Sequence, residues 1–149
     1  MKRTIACMIA LCLVLVAAAL MAAEGDKKDK DKGKDREQAA VAAATTWLGL
    51  VDDGKFGESY TEAAVYFKNA ITKEAWEKAL GSVRTPLGAM VSRKVKGTTF
   101  KTELPGAPDG EYVIIQFTTS FKNKKEAVET ITPMKEKDGT WRVSGYYIK

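Results

Sequence analysis

Acid–base chemistry is the main catalytic option that the residue types of this chain leave open. The chain contains no histidine, and its two cysteines, Cys7 and Cys12, lie inside an uncharged run near the start. Zinc and copper sites therefore lack their usual imidazole and thiolate ligands. A calcium site needs clustered oxygen ligands, whereas the acids at 52–53 and 109 are sparse and are better explained as turn residues. We therefore expect no metal and no cofactor.

Glu129 is the residue on which an acid–base reaction would depend, since it is the one charged residue in the stretch 127–131. Its direction depends on strand register, because a shift of one residue turns every side chain to the opposite face. Three-residue turns would pair Glu129 with Phe117 and Tyr147 and point it inward, where Arg93 could form a structural pair with it. Two- or four-residue turns would point it to solvent. Burying an unpaired carboxylate is costly, so we expect the outward register.

Large aromatic residues suggest a second kind of site, a pocket for a small apolar molecule. Trp47, Trp76 and Trp141 could line such a pocket, but aromatic residues at these spacings more often pack in a core, which we expect here. The candidate binding residues are Trp47, Trp76, Trp141, Tyr147, Glu129 and Arg93.

The elements that must position these residues are predicted by the spacing of apolar side chains. Apolar residues recur every three or four positions in 40–51, 56–67 and 76–83, which predicts three amphipathic helices. Thr72 is expected to cap the third helix, and the sequence Thr-Pro-Leu-Gly at 85–88 is expected to end it.

After Gly88 the period of the pattern changes to two, which predicts β-strands. The predicted strands cover residues 90–104, 111–121, 126–135 and 140–148. Their short connections favour an antiparallel meander, and Gly97 predicts a bulge that bends the first strand. Helices followed by strands indicate a single α+β domain over residues 38–149, with three helices on a curved four-stranded sheet.

The start of the chain has the pattern of an export signal. Residues 1–23 combine a basic start, an uncharged apolar run and a small-residue end, which predicts a signal peptide and a periplasmic or secreted protein. The alternative is an uncleaved anchor in the inner membrane formed by residues 5–23. Residues 24–37 contain no apolar side chain and are predicted to be a disordered charged tether. A net charge of +5 is too small to indicate nucleic-acid binding.

Four stretches of the chain form a set of motifs in order. They read WLGLVDDG at 47–54, VRTPLG at 83–88, LPGAPDGEY at 104–112 and WRVSGYY at 141–147. The set resembles the bacterial domain-of-unknown-function 4019 family. By analogy it implies a nuclear-transport-factor-two-like cone, in which a curved sheet wraps helices around a pocket. The family has no assigned activity, so the resemblance implies no catalytic residue.

These observations favour an exported, non-enzymatic module that binds a small apolar molecule or an envelope protein. One alternative is an isomerase or hydrolase that acts through a carboxylate and a tyrosine in the cone, as in ketosteroid isomerase. Another is a dimeric scaffold without a functional pocket. A homodimer would form through an apolar outer face of the sheet. The residues predicted for that face are Tyr112, Ile114, Tyr146 and Ile148.

Overall fold

The computed structural model describes residues 29–149. The predicted signal segment, residues 1–23, and the first part of the predicted tether, residues 24–28, lie outside the described residues. Two compact units are present, one ending at Arg36 and the other spanning Glu37–Lys149. Residues 29–37 are helical, where the sequence predicted a disordered tether. In residues 29–37, the three lysines, the arginine and the glutamate are good helix formers and outnumber the three aspartates and one glycine, which are poor ones. No helix within residues 29–149 has the length and apolar character that crossing a membrane requires.

Four helices, instead of the three predicted, precede the sheet in the second unit. Helix α1 covers residues 29–52, of which 37–52 belong to the second unit. Helix α2 covers Phe56–Thr61, α3 covers Val65–Ala70 and α4 covers Lys73–Leu87. Helix α1 buries one stripe of side chains at three- and four-residue spacing, as its sequence predicted. The buried residues are Ala40, Ala44, Trp47, Leu48 and Val51.

The predicted second helix is broken between α2 and α3. Ala63 and Ala64 are fully buried, and the Ala64 N–H donates to the Val143 carbonyl at 2.8 Å. This bond ties the link between the two helices to the sheet and replaces a bond within a continuous helix. Periodicity alone did not reveal the break, because both short helices keep their apolar residues in phase.

Helix α4 begins as predicted and ends later than predicted. The Thr72 side chain accepts a hydrogen bond from the Ala75 N–H at 3.2 Å, which confirms the N-cap. The helix continues through Pro86 and ends at Gly88, whose φ of 74° and ψ of −166° are open to glycine only. The Asn123 side-chain amide donates to the Pro86 carbonyl at 3.0 Å, which supplies a partner for the end of the helix.

The predicted antiparallel meander is confirmed, with strand order β1-β2-β3-β4. The strands are β1 (Met90–Lys101), β2 (Tyr112–Phe121), β3 (Lys124–Lys135) and β4 (Trp141–Ile148). A register shift between Val95 and Gly97 confirms the predicted bulge. The fold is therefore α+β, but the sheet is neither closed nor strongly curled. The analogy with the nuclear-transport-factor-two-like cone is not confirmed.

The register of β3 is the opposite of the predicted one. Only two residues separate β2 from β3, which alone would point Glu129 to solvent. A bulge between Thr119 and Phe121 then shifts the pairing by one residue, so Glu129 lies opposite Phe117 and is 0% exposed. The prediction of an outward Glu129 is therefore wrong, because the bulge cancels the effect of the short turn.

Strand β4 also differs from its predicted orientation. Ile148 lies opposite Glu129, and Tyr146 lies opposite Ile131. Since cross-strand partners share a face, both side chains face the helices, and their predicted place on the outer face is wrong. Tyr112 is on the outer side but fully buried, and its hydroxyl donates to the Pro108 carbonyl of the preceding loop. Ile114 alone of the predicted set stays partly exposed on the outer face.

Candidate functional site

Four charged side chains meet between the helices and the sheet, and we call them the charge cluster. Asp52 comes from the end of α1, Arg84 from α4, Arg93 from β1 and Glu129 from β3. Arg93 binds the Asp52 carboxylate through two nitrogens, at 2.6 and 2.9 Å, and its Nε donates to Glu129 at 2.7 Å. Arg84 donates to Asp52 at 2.6 Å and to Glu129 at 3.2 Å. Two cations therefore balance two anions.

Two uncharged hydroxyls complete the hydrogen bonds of Glu129. The Tyr146 hydroxyl donates to Oε1 at 2.7 Å, and the Thr119 hydroxyl donates to Oε2 at 2.5 Å. With the two arginines, four side chains donate to this one carboxylate. The cost of burying Glu129, on which the outward prediction was based, is offset by these donors.

Arg84 reaches the charge cluster because it extends the buried stripe of α4. Trp76, Leu80 and Arg84 are buried at four-residue intervals, so the guanidinium enters the interior on the same face as the apolar residues. Its flat face lies 4.6 Å from the centre of the Phe121 ring, a cation–π contact that partly replaces water. The predicted stripe instead continued through Ala79 and Val83, which are exposed.

The pKa values of Asp52, Arg84 and Arg93 shift in the directions that favour their charged forms. Burial alone would raise the pKa of Asp52, but hydrogen bonds and charges from Arg93 and Arg84 hold it below the ordinary value of 3.8. Burial would lower the pKa of Arg93, but Asp52 and Glu129 raise it. Burial and the neighbouring Glu129 carboxylate raise the pKa of the Tyr146 phenol. These groups therefore keep their charges, and Tyr146 keeps its proton, near neutral pH.

This arrangement is suited to holding elements together. A general base needs a free lone pair within reach of a substrate proton, whereas the Glu129 oxygens face donors of the protein itself. Tyr146 directs its proton at Glu129, so it offers none to a ligand. The candidate pair of Arg93 and Glu129 is thus brought together, as a structural pair tying β1 to β3 and α1.

Acid should weaken the domain through Asp52. Its pKa is lower in the folded chain than in the unfolded chain, so its contribution to stability is complete above the unfolded value of 3.8 and is lost as pH falls through the folded value. We expect Asp52→Asn to be less stable than the wild type at neutral pH. Urea unfolding between about pH 6 and pH 2 measures this, and the gap between the two proteins should narrow below about pH 4. A gap that stays constant across this range would contradict the role of the ionised carboxylate.

Trp47 and Trp76 form the centre of the core, as predicted, whereas Trp141 does not. Trp47 and Trp76 are 3% and 7% exposed, and their indole N–H groups donate to the backbone and hydroxyl oxygens of Ser59 at 2.7 and 3.0 Å. Their rings lie 5.9 Å apart, and Tyr146 lies 5.6 Å from Trp47. Trp141 is only half-buried, at the edge of this cluster. These aromatic side chains fill the space in which the cone prediction placed a pocket.

An apolar opening lies beside the core, between α4 and the end of β4, and we call it the α4–β4 groove. Its volume is about 240 Å³. Val83 and Tyr147 are 42% and 57% exposed at its rim, whereas Trp76 and Leu80 form its buried floor. The seven lining side chains carry no charge. They are Trp76, Ala79, Leu80, Val83, Tyr146, Tyr147 and Ile148.

Other openings have a different chemistry. A wide groove of about 670 Å³ beside α2, α3 and the β3–β4 turn is lined by both acids and bases. Three of these charges already have partners, since Arg142 pairs with Asp138 at 3.0 Å and Glu136 accepts the Val65 N–H at 2.8 Å. Among the described residues, no group of three or more acidic side chains is placed to hold a metal ion. The α4–β4 groove differs from this wide groove in having no charged side chain in its lining, and it is therefore our candidate site.

Sequence reasoning found part of each feature. It named Glu129, Arg93, Trp76 and Tyr147 but did not single out Arg84, and it treated Asp52 as a turn residue. The available signal was the position of Arg84, four residues after Leu80 on the stripe that begins at Trp76. A base in phase with buried apolar residues indicates an acid at the same depth.

Comparison with known proteins supports the resemblance found in the motifs. A family model described as a protein of unknown function (DUF4019) matches residues 43–146. Comparison with curated proteins gave no match. The matched range covers most of the chain and includes all four residues of the charge cluster, together with most of the α4–β4 groove. On that match, the chain belongs to the DUF4019 family.

Proposed function

We propose that this protein is an exported, non-enzymatic binding module whose binding surface is the α4–β4 groove. Export is supported by the signal-like pattern of residues 1–23. The observation that carries the binding role is the uncharged lining of the groove, with Val83 and Tyr147 exposed beside a buried aromatic floor. Binding sites combine apolar surface with a concave shape, and both are present here.

The exposure of the rim residues supports a role in binding over a role in packing of the core. Val83 and Ala79 are in phase with each other on α4 and lie beside the buried stripe, yet no other element of the described chain covers them. Complete burial of an exposed valine side chain stabilises by about 1.5–3 kcal/mol. A ligand that covers the rim would gain part of this energy. The acid–base alternative has no comparable support, because the Glu129 carboxylate already accepts hydrogen bonds from protein groups and Tyr146 already donates to Glu129.

A neutral apolar dye tests the groove directly. N-phenylnaphthylamine fluoresces in apolar surroundings, and we expect it to bind the wild type with a fluorescence increase. Val83→Asp should weaken this binding about tenfold or more, since it places a charge where apolar contact is made. Val91→Asp is the matched control, because Val91 is 63% exposed on β1 outside the groove. Equal dye binding by both variants, each folded by circular dichroism, would contradict the proposed site.

A further inference from the structure

The two edges of the sheet differ in how they are protected. Strand β1 forms one edge, and its exposed lysines, Lys94, Lys96 and Lys101, together with two register shifts, disfavour pairing with another strand. Strand β4 forms the other edge. Its final residues, 144–148, read Ser-Gly-Tyr-Tyr-Ile and contain no charge. The part of this edge that borders the α4–β4 groove, residues 144–148, thus lacks charged protection.

The hydrogen bonds of β4 indicate which backbone groups face its open edge. Val128 and Lys149 exchange two bonds, at 3.0 and 3.1 Å, and Tyr147 lies two residues along the same ladder. In an antiparallel pair such residues direct their N–H and C=O groups at the partner, and the residues between them direct theirs away. The backbone groups of Tyr146 and Ile148 therefore face the open edge, while their side chains line the groove.

The open part of this edge is short. Further along β4, the Val143 carbonyl accepts the Ala64 N–H, so the link between α2 and α3 covers the edge at that point. Residues 144–148 remain for pairing. A strand of about five residues matches this length, and it would place alternate side chains in the groove.

We infer that the occupant of the groove is an extended polypeptide segment of a partner protein, added antiparallel to β4, with apolar side chains at alternate positions and an acidic residue near its N-terminal end. This inference depends on the proposed function, since it names the ligand of the same groove. Main-chain bonds to Tyr146 and Ile148 give the segment its affinity, and the uncharged lining selects its apolar side chains.

Charge complementarity fixes the position of the acid. An antiparallel segment begins beside the C-terminal end of β4, where the ammonium of Lys149 lies 5.7 Å from the centre of the Tyr147 ring. Lys149 and Tyr147 share one face of the strand, since they are two residues apart. The acid of the partner segment must therefore lie on the same face as Lys149, which is opposite to the face whose side chains enter the groove.

A capped peptide, acetyl-Asp-Val-Thr-Val-Thr-Val-amide, is the probe. The peptide residues that lie opposite Tyr146 and Ile148 form backbone hydrogen bonds to β4, and their side chains enter the groove. In this peptide those residues are valines, so the valine N–H groups donate the bonds to β4. N-methylation of the valines should weaken binding about tenfold or more, because each lost bond leaves a strand group unpaired. N-methylation of the threonines is the matched control and should leave binding near that of the parent peptide. The readout is the amide NMR shifts of Tyr146 and Ile148 during titration of the full domain.

Protein variants test the apolar and charged parts of the same inference. Val83→Asp should abolish the peptide-induced shifts, whereas Val91→Asp should leave them unchanged. Lys149→Glu should weaken the peptide about two- to fivefold, and replacing the peptide's aspartate with lysine should restore binding to this variant.

The outcomes separate the occupant from the site. Equal effects of the two N-methylations, or no peptide binding while the dye still depends on Val83, would overturn strand addition and leave the groove as a small-molecule site. If neither dye nor peptide responds to Val83→Asp, both the inference and the proposed function are wrong.

Discussion

Glu129→Gln is expected to destabilise the domain by about 3–5 kcal/mol, the cost of removing one partner from a buried ion pair. The substitution keeps the shape of the side chain and removes its charge. Arg84 and Arg93, at 5% and 9% side-chain exposure, would then share the single carboxylate of Asp52. The amide would also present an NH₂ group to hydroxyl and guanidinium donors, which leaves several of them unpaired. Urea unfolding at neutral pH measures the loss.

An exposed ion pair supplies the control for this experiment. Asp138 pairs with Arg142 on the β3–β4 turn, with side chains 55% and 32% exposed, and Asp138→Asn should leave the free energy of unfolding unchanged within error. A second comparison combines Glu129→Gln with Arg93→Gln. If the cluster is coupled, the double variant should lose less than the sum of the single losses. A small effect of Glu129→Gln, similar to that of Asp138→Asn, would show that water or another group replaces the charge.

The motifs behind the family resemblance contribute directly to the charge cluster. WLGLVDDG supplies Asp52, VRTPLG supplies Arg84 and WRVSGYY supplies Tyr146. Arg84 and Tyr146 both donate to Glu129, which none of the motifs contains, and Asp52 is joined to them through Arg84. In this chain the motifs account for how helices and sheet are joined, and they do not by themselves indicate an activity.

The order and type of the elements could be predicted because they depend on local patterns. The change of period at Gly88, the Thr72 cap and the bulge at Gly97 are encoded by neighbouring residues, and all three are confirmed. The break between α2 and α3 depends on a bond to Val143, about eighty residues away. No local pattern contains that information.

The register of Glu129 could not be predicted for a related reason. An outward Glu129 is predicted because burying a carboxylate without a partner is costly. The charge of Glu129 is compensated by Arg84 and Arg93, which lie 45 and 36 residues earlier. The inward register results from a bulge between Thr119 and Phe121, whose position no sequence pattern indicates. The α4–β4 groove could not be predicted either, because the spacing of Ala79 and Val83 predicts that both belong to the buried stripe of α4, whereas both are exposed. When the apolar stripe of a helix is wider than the core surface that it packs against, its outermost apolar side chains stay exposed and can contact a partner.

Trp76→Ala is expected to cost about 3–5 kcal/mol, as do other deletions of large buried aromatics. Trp76 is 7% exposed, its ring meets Phe67 edge-on at 4.9 Å, and its indole N–H donates to the Ser59 hydroxyl at 3.0 Å. The substitution removes all of these contacts and leaves the Ser59 hydroxyl without one partner. Because a domain of this size is typically stable by about 5–15 kcal/mol, the variant should unfold at much lower urea concentration.

The matched control for Trp76→Ala is Val91→Ala, which should change the free energy of unfolding by less than about 0.5 kcal/mol because Val91 is exposed. A loss below about 1 kcal/mol for Trp76→Ala would mean that the α4–β4 groove collapses to fill the space. Such a collapse would remove the buried floor on which the proposed binding surface depends. The stability of this variant therefore bears on function as well as on the core: only a floor held rigid by Phe67, Trp47 and Ser59 keeps the groove open in the absence of a ligand.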